Sequence, residues 1–223
     1  MELFAFRRRD FSIRKQLLPE VIFFWRRRIF YGEGEGMPQI ESRLVYLMGP
    51  SGAGKDTLLR HARKILKGRK VLFARRYITR PLPVGAGSSD EKHIPLSEED
   101  FLGKRDEGFF ALHWESHGLH YGVGQEINAS LLQGHVVVLN GSRKYLPEAV
   151  RRYPDLLPVL VDAAPEVLRD RLKNRGREHG DNLEERLRGA SLPVDVQCVR
   201  IDNSGPLEDA LETLVALLRG YGG

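Results

Sequence analysis

The run Gly49-Pro50-Ser51-Gly52-Ala53-Gly54-Lys55-Asp56-Thr57 places glycines, a lysine, a carboxylate and a hydroxyl within a few consecutive positions. Glycine backbones can turn successive N–H groups inward onto an anion. Lysine is a mobile point charge suited to the β- and γ-phosphates of a nucleoside triphosphate. The run follows the apolar stretch Leu44 to Met48 and opens Leu58, Leu59, Ala62, Ile65 and Leu66, apolar at helical spacing. Strand, glycine loop and helix is the context that a phosphate-binding P-loop requires, and the positive helix start reinforces the loop. Gly49 to Thr57 are therefore expected to cradle the phosphates of a nucleotide such as ATP, with Lys55 as the point charge on the β- and γ-phosphates.

The residue after a P-loop lysine is usually Ser or Thr, whose hydroxyl touches Mg²⁺. Here it is Asp56, with Thr57 one step later. A carboxylate at that position can bind Mg²⁺ directly or through water, so Asp56 or Thr57 is expected to be linked to the metal. The competing reading makes Asp56 a cap of the helix.

Arginine recurs in segments that read as flexible. Arg75-Arg76-Tyr77-Ile78-Thr79-Arg80-Pro81 leaves the strand expected at 71–74, and ligands of open α/β sheets lie at the carboxyl ends of strands. Arginine there can grip phosphate oxygens bidentately. A second group, Arg169, Arg171, Arg175, Arg177, Arg186 and Arg188, flanks the polar stretch 178–182. Arg171 and Arg175 share one helix face. Cations on either side of a hinge suit a closing lid that reaches the γ-phosphoryl and excludes water. For both groups the alternative is a solvated charged surface. His113, His117 and His120, with Glu115 between them, have the spacing of metal ligands. Gly118 interrupts a helix there and no cysteine assists, so hydrogen bonding to a polar substrate, or plain exposure, is the preferred reading over zinc.

These residues must be held by an ordinary soluble fold. At 223 residues the chain suits one α/β domain with a real core. No apolar run is long enough to span a membrane. The single Cys198 excludes an internal disulfide, fits a reducing cytoplasm and reads as a small hydrophobe. The net charge of +5 is already contained in residues 1–31, where Arg7, Arg8, Arg9, Arg14, Lys15, Arg26, Arg27 and Arg28 face only Glu2, Asp10 and Glu20. The rest of the chain is balanced, so its high pI does not mark the domain as binding nucleic acid. Residues 1–42 form a basic extension joined by Gly32-Glu33-Gly34-Glu35-Gly36. It reads as an amphipathic surface helix, a basic arm for RNA, or an appendage with no shared function and Met37 as an alternative start; the appendage is preferred.

Strands are expected at 71–74, 135–139, 157–161 and 196–201, besides the one before the P-loop. Helices are expected at 125–133, 145–152, 166–174, 182–190 and from Pro206 to about Leu218. Another should start at Ser97, and Pro158 blemishes its strand. Residues 75–94 read as loop, and 109–123 show no clear period. Alternating strands and helices argue for a parallel sheet between helix layers.

Several stretches carry a family resemblance. They are Met48 to Leu59 with Lys-Asp after the glycine, Tyr77 to Pro81, Glu91 to Ile94, Phe110 to Trp114, Gly118 to Gly124, Leu139-Asn140-Gly141-Ser142-Arg143 and Leu172 to Glu178. Residues 43–218 resemble the guanylate-kinase-like branch of nucleoside-monophosphate kinases, and within it the ribose 1,5-bisphosphate phosphokinase family of phosphonate catabolism. The resemblance implies a three-layer P-loop kinase domain over 43–223, with an acceptor region at about 75–123 and a mobile lid at about 171–186. It implies transfer of the ATP γ-phosphoryl to ribose 1,5-bisphosphate, giving ADP and 5-phosphoribosyl 1-diphosphate (PRPP). Arg76, Arg80, His93, Tyr121 and Arg143 would hold this sugar bisphosphate; Arg171, Arg175 and Arg177 would be the lid cations.

The departures from guanylate kinases are informative. Aligning on Tyr121-Gly122 puts Leu112 where that family reads guanine with a glutamate. His93 falls near a phosphate-holding tyrosine, Pro83 at a loop arginine and Asn140 at an aspartate. An acceptor with phosphate but no base fits these changes. Two readings remain beside it: a nucleoside-monophosphate kinase of altered base preference, and a non-catalytic guanylate-kinase-like module.

Overall fold

The computed structural model describes residues 43–80, 93–116, 118–174 and 197–221. The basic extension, the joint between 81 and 92, His117 and the segment 175–196 lie outside them, and with them the readings placed there: Pro83, Arg175, Arg177 and the helix at 182–190.

Strand β1 (Leu44–Met48) is buried at every position, as a strand covered on both faces must be. It leads through the glycine loop into α1 (Lys55–Ile65), which buries Leu58 and Ala62. The short β2 (Val71–Phe73) follows. Further on come α3 (Glu126–Leu132), β7 (Val136–Asn140), α4 (Leu146–Arg152), β8 (Leu157–Asp162), α5 (Pro165–Asn174), β9 (Val199–Asp202) and α6 (Leu207–Tyr221). Five strands form one sheet in the order β2-β7-β1-β8-β9, and every pairing in it is parallel. The expected α/β architecture with a central parallel sheet is thus found. β1 lies in the middle, so the phosphate loop springs from the best-supported strand. Pro158 is tolerated because the β9 ladder starts only at Val159, leaving the proline paired with Tyr46 on one side. Pro165 opens α5 as a first-turn proline should.

The segments read as loop or as aperiodic hold a second sheet. β3 (Arg76–Ile78), β4 (His93–Pro95), β5 (Phe110–Ser116) and β6 (Leu119–Gly124) pair in the order β4-β3-β6-β5. β3 and β4 are parallel, while β6 runs antiparallel to both β3 and β5. The β5–β6 hairpin has an irregular register between Phe110 and Leu112. This irregularity breaks the alternation that would have revealed a strand. Helix α2 (Glu98–Asp106) starts at Ser97, whose Oγ accepts from the Asp100 N–H at 3.0 Å, the capping arrangement expected there.

One core cluster joins the two sheets. It holds Leu44, Tyr46 and Met48 of β1, Val137 and Leu139 of β7, Leu112 and Trp114 of β5, Val123 of β6 and Ile127 of α3. The second sheet and the strand that carries the phosphate loop are therefore set against each other by packed side chains.

Candidate phosphoryl-transfer site

The phosphate loop is shaped by glycine. Gly49 has φ of 148° and Gly54, which caps α1, has φ of 85°. Both values lie where side-chain-bearing residues are strained. A Cβ on Gly49 would also run into the Val161 carbonyl of β8, and one on Gly54 into the Asn203 amide. Lys55 curls back over the loop, and its Nζ donates to the carbonyls of Gly49 at 2.7 Å and Pro50 at 2.9 Å. The ammonium is thereby held above the cradle that the loop forms.

Asp56 is not the cap of α1. That position is Gly54, without a side-chain cap bond, and Asp56 lies in the first turn. Its half-exposed carboxylate accepts from Asn140 Nδ2 at 3.0 Å and stands 3.9 Å from Arg76 Nη2. A hard oxygen ligand at the helix start, with part of its surface open, fits what Mg²⁺ needs, and Thr57 one residue on is half-buried.

Arg76 of β3 is held on several sides. Its side chain is 15% exposed. Nη1 donates to the Asn140 carbonyl at 3.3 Å, Nη2 lies 3.5 Å from His93 Nε2, and the guanidinium sits over the Tyr121 ring at 5.8 Å. Tyr121 in turn stacks on Trp114 with ring centroids 5.6 Å apart, and Trp114 meets Tyr145 at the same separation. Burial pushes the Arg76 pKa down, opposed chiefly by the Asp56 carboxylate. Arg76, His93 and Tyr121 are thus brought together beside Asp56.

The other expected residues are more dispersed. Arg143 lies in a turn (Arg143–Tyr145) just past β7; burial lowers its pKa, and Asp162 at the end of β8 works against that. Arg80 is exposed. Arg171 of α5 points toward the phosphate loop. Its Nη1 lies 3.9 Å from where a Cβ on Gly54 would be, buried and without a hydrogen-bond partner among the described residues.

Leu112 does not line an open base pocket. It is fully buried in the core, paired with Val123. The half-buried side chain beside it is His113, whose backbone N–H donates to Tyr145 Oη at 3.4 Å. His120 stacks on Phe101 and stands 3.7 Å from Glu98.

Two supporting residues were not legible from motif reading. Asn203, just past β9 and 2% exposed, donates from Nδ2 to the Ala53 carbonyl at 2.7 Å and so clamps the loop from behind. It is distant in sequence from everything it serves. Tyr46 is fully buried in β1 and donates to the Ser142 carbonyl at 2.8 Å, with Gly141 against its ring. Its signal was present: one polar tip in an otherwise apolar strand.

No family model matches the chain. Among curated proteins, it is 50% identical over 181 residues to the ribose 1,5-bisphosphate phosphokinase PhnN of Burkholderia pseudomallei, a match covering 80% of this chain and 96% of that protein. The same-named protein of Thiobacillus denitrificans is 49% identical over 181 residues, with 80% and 93% covered. That of Yersinia pestis is 44% identical over 181 residues, with 79% and 91% covered. Among solved structures, a guanylate kinase from Anaplasma phagocytophilum superposes with a TM-score of 0.56 at 17% identity, covering 82% of this chain and 87% of that one. At that identity the likeness is one of fold. The relatives are matched over nearly their whole length, and the chain carries a shaped phosphate loop facing a buried arginine: it belongs to the ribose 1,5-bisphosphate phosphokinase family.

Proposed function

We propose that this protein transfers the γ-phosphoryl group of ATP to the 1-phosphate of ribose 1,5-bisphosphate, releasing ADP and PRPP. One observation carries the reading: relatives named for this activity match at up to 50% identity over 96% of their length. The site chemistry supports it. Gly49 to Thr57 would hold the triphosphate, and Lys55 would move from its loop carbonyls to the transferring group. Mg²⁺ would supply charge neutralisation between the phosphates, held by Asp56 or Thr57 and mainly by ATP itself. Arg76, Arg80, His93, Tyr121 and Arg143 would grip the sugar bisphosphate. Arg171, Arg175 and Arg177 would close over the reacting phosphates as lid cations, so that positioning and electrostatics perform the catalysis. The attacking phosphate oxygen is already anionic, so no general base is assigned.

Residues 43–223 would form the kinase unit, with residues 1–42 an extension outside the reaction. Among the described residues no helix is long and apolar enough to cross a membrane, and the lone Cys198 suits a cytoplasmic enzyme. The test is direct. Purified protein, ATP, Mg²⁺ and ribose 1,5-bisphosphate should yield PRPP, followed by phosphorus NMR, with ADP released in step. Faster ADP release with GMP than with ribose 1,5-bisphosphate overturns the reading.

A further inference from the structure

Asn140 is the last residue of β7, 8% exposed, where the parallel sheet meets both halves of the site. Its side-chain Nδ2 donates to Asp56 Oδ1 at 3.0 Å, and its backbone carbonyl accepts from Arg76 Nη1 at 3.3 Å. Arg76 Nη2 stands 3.9 Å from the same Asp56 oxygen. At this one buried residue of β7, α1 from the phosphate loop is met by the side-chain amide and β3 from the second sheet by the backbone carbonyl.

We infer that Asn140 is a positioning residue that fixes the donor loop and the acceptor arginine relative to each other. Its amide aims the Asp56 carboxylate toward Arg76 while its carbonyl holds the guanidinium. The inference rests on the reading of Arg76 as a ligand of the acceptor phosphate. The chemistry demands an amide here. Asn140 is buried and meets the half-exposed Asp56 carboxylate, and an ionised carboxylate accepts from a donor but gains nothing from a second acceptor. The carbonyl of the same residue supplies the acceptor that the buried guanidinium requires. The arrangement also selects which edge of Arg76 is occupied by protein, and so which edge turns to phosphate.

Size and hydrogen bonding can be separated at this position because Asp is isosteric with Asn. Were Asn140 merely filling space, Asp would be milder than Ala. As an amide donor to Asp56, Asn140→Asp is worse than Asn140→Ala, because it sets two carboxylates against each other beside Arg76. The experiment measures KM for ribose 1,5-bisphosphate, kcat, and calorimetric affinity for a non-hydrolysable ATP analogue without metal, with circular dichroism as the folding control. Loss of a charge-assisted hydrogen bond should raise the acceptor KM about 10-fold in Asn140→Ala. Like-charge contact should raise it about 100-fold in Asn140→Asp. Analogue affinity should stay near wild type in both. The exchange variant Asp56→Asn/Asn140→Asp restores one donor and one acceptor and should recover most of the acceptor KM relative to Asn140→Asp alone.

Asn140→Asp no worse than Asn140→Ala, or an exchange variant without recovery, overturns the inference. If Asn140→Asp does not fold, Asp56→Asn on the half-exposed partner decides; an unchanged acceptor KM there overturns it equally. A wild-type protein that forms no PRPP defeats the proposed function instead. The variants are then ranked on GMP, whose phosphate Arg76 would hold.

Discussion

Lys55 and Arg76 divide the site between them at the residue scale. Lys55 Nζ donates to two loop carbonyls, 2.7 and 2.9 Å away, on the surface of the cradle rather than in the apolar core, and its removal should leave the fold intact. Lys55→Ala should lower kcat by roughly 10³-fold, the scale of losing one charge that acts on the transition state. Single-turnover ADP release, with circular dichroism as a control, checks it; turnover within a few-fold of wild type contradicts the role. Arg76 differs because it is used on several sides at once: Asn140, His93, Asp56 and the Tyr121 face. A lysine keeps the charge but neither the planar fork nor the stacking. Arg76→Lys should therefore raise the acceptor KM by about 10-fold or more while leaving the KM for ATP close to wild type. Steady-state kinetics with each substrate varied in turn gives both numbers. The loop and its lysine were legible because adjacent residues do the work. The Arg76 surroundings were legible only in part, because Asn140 acts through a contact 64 positions away from Arg76.

Elements explain which parts of the fold could be anticipated. β1, β7 and β8 are short apolar runs bounded by turn residues, and each lies where its run predicts. β3 and β4 escaped because each has only three residues and stands beside prolines and glycines that mark loops. Their stability comes from pairing with β6 and with each other, which no local pattern reports. The β5–β6 hairpin escaped because its register shifts near its start and because its aromatic residues do not alternate cleanly, Phe110 lying against Gly122 while Trp114 stacks on Tyr121. The loop between β1 and α1 depends on such a non-local tie as well. Asn203, carried past the end of β9, supplies the hydrogen bond to the Ala53 carbonyl. Its replacement by alanine leaves that buried acceptor unmade, a cost of about 1–3 kcal/mol. Asn203→Ala should thus lower the melting temperature by several degrees and weaken ATP binding, since the loop loses its rear support. Thermal melts with and without nucleotide test this. A variant with unchanged melting but weaker ATP binding would assign Asn203 to direct ligand contact rather than to support.

Among the described residues one core cluster is shared by the two sheets, and that sharing was not foreseeable from alternation of strands and helices. Alternation predicts the parallel sheet. It is silent on a mixed sheet that packs Leu112, Trp114 and Val123 into the same cluster as Leu44 and Tyr46. Stability of the molecule should carry a mark of this arrangement through His113 on β5. Burial lowers its pKa below the ordinary histidine value, and the Arg152 and Arg105 cations act in the same direction, with Glu148 opposing. The folded state therefore favours the neutral imidazole. As pH falls through the unfolded-state value of about 6.5, the unfolded chain takes up a proton that the folded chain still refuses. The unfolded state binds more protons in this window, so stability rises with pH there and is lost on acidification, until the folded histidine also protonates. His113→Asn keeps a polar group without a titratable one and should show a shallower loss of stability below about pH 6.5 than the wild type. Urea unfolding at a series of pH values from neutral downward gives the two slopes. Identical slopes would mean that the imidazole titrates in the folded protein as it does in the unfolded chain, and that β5 leaves this face open to water.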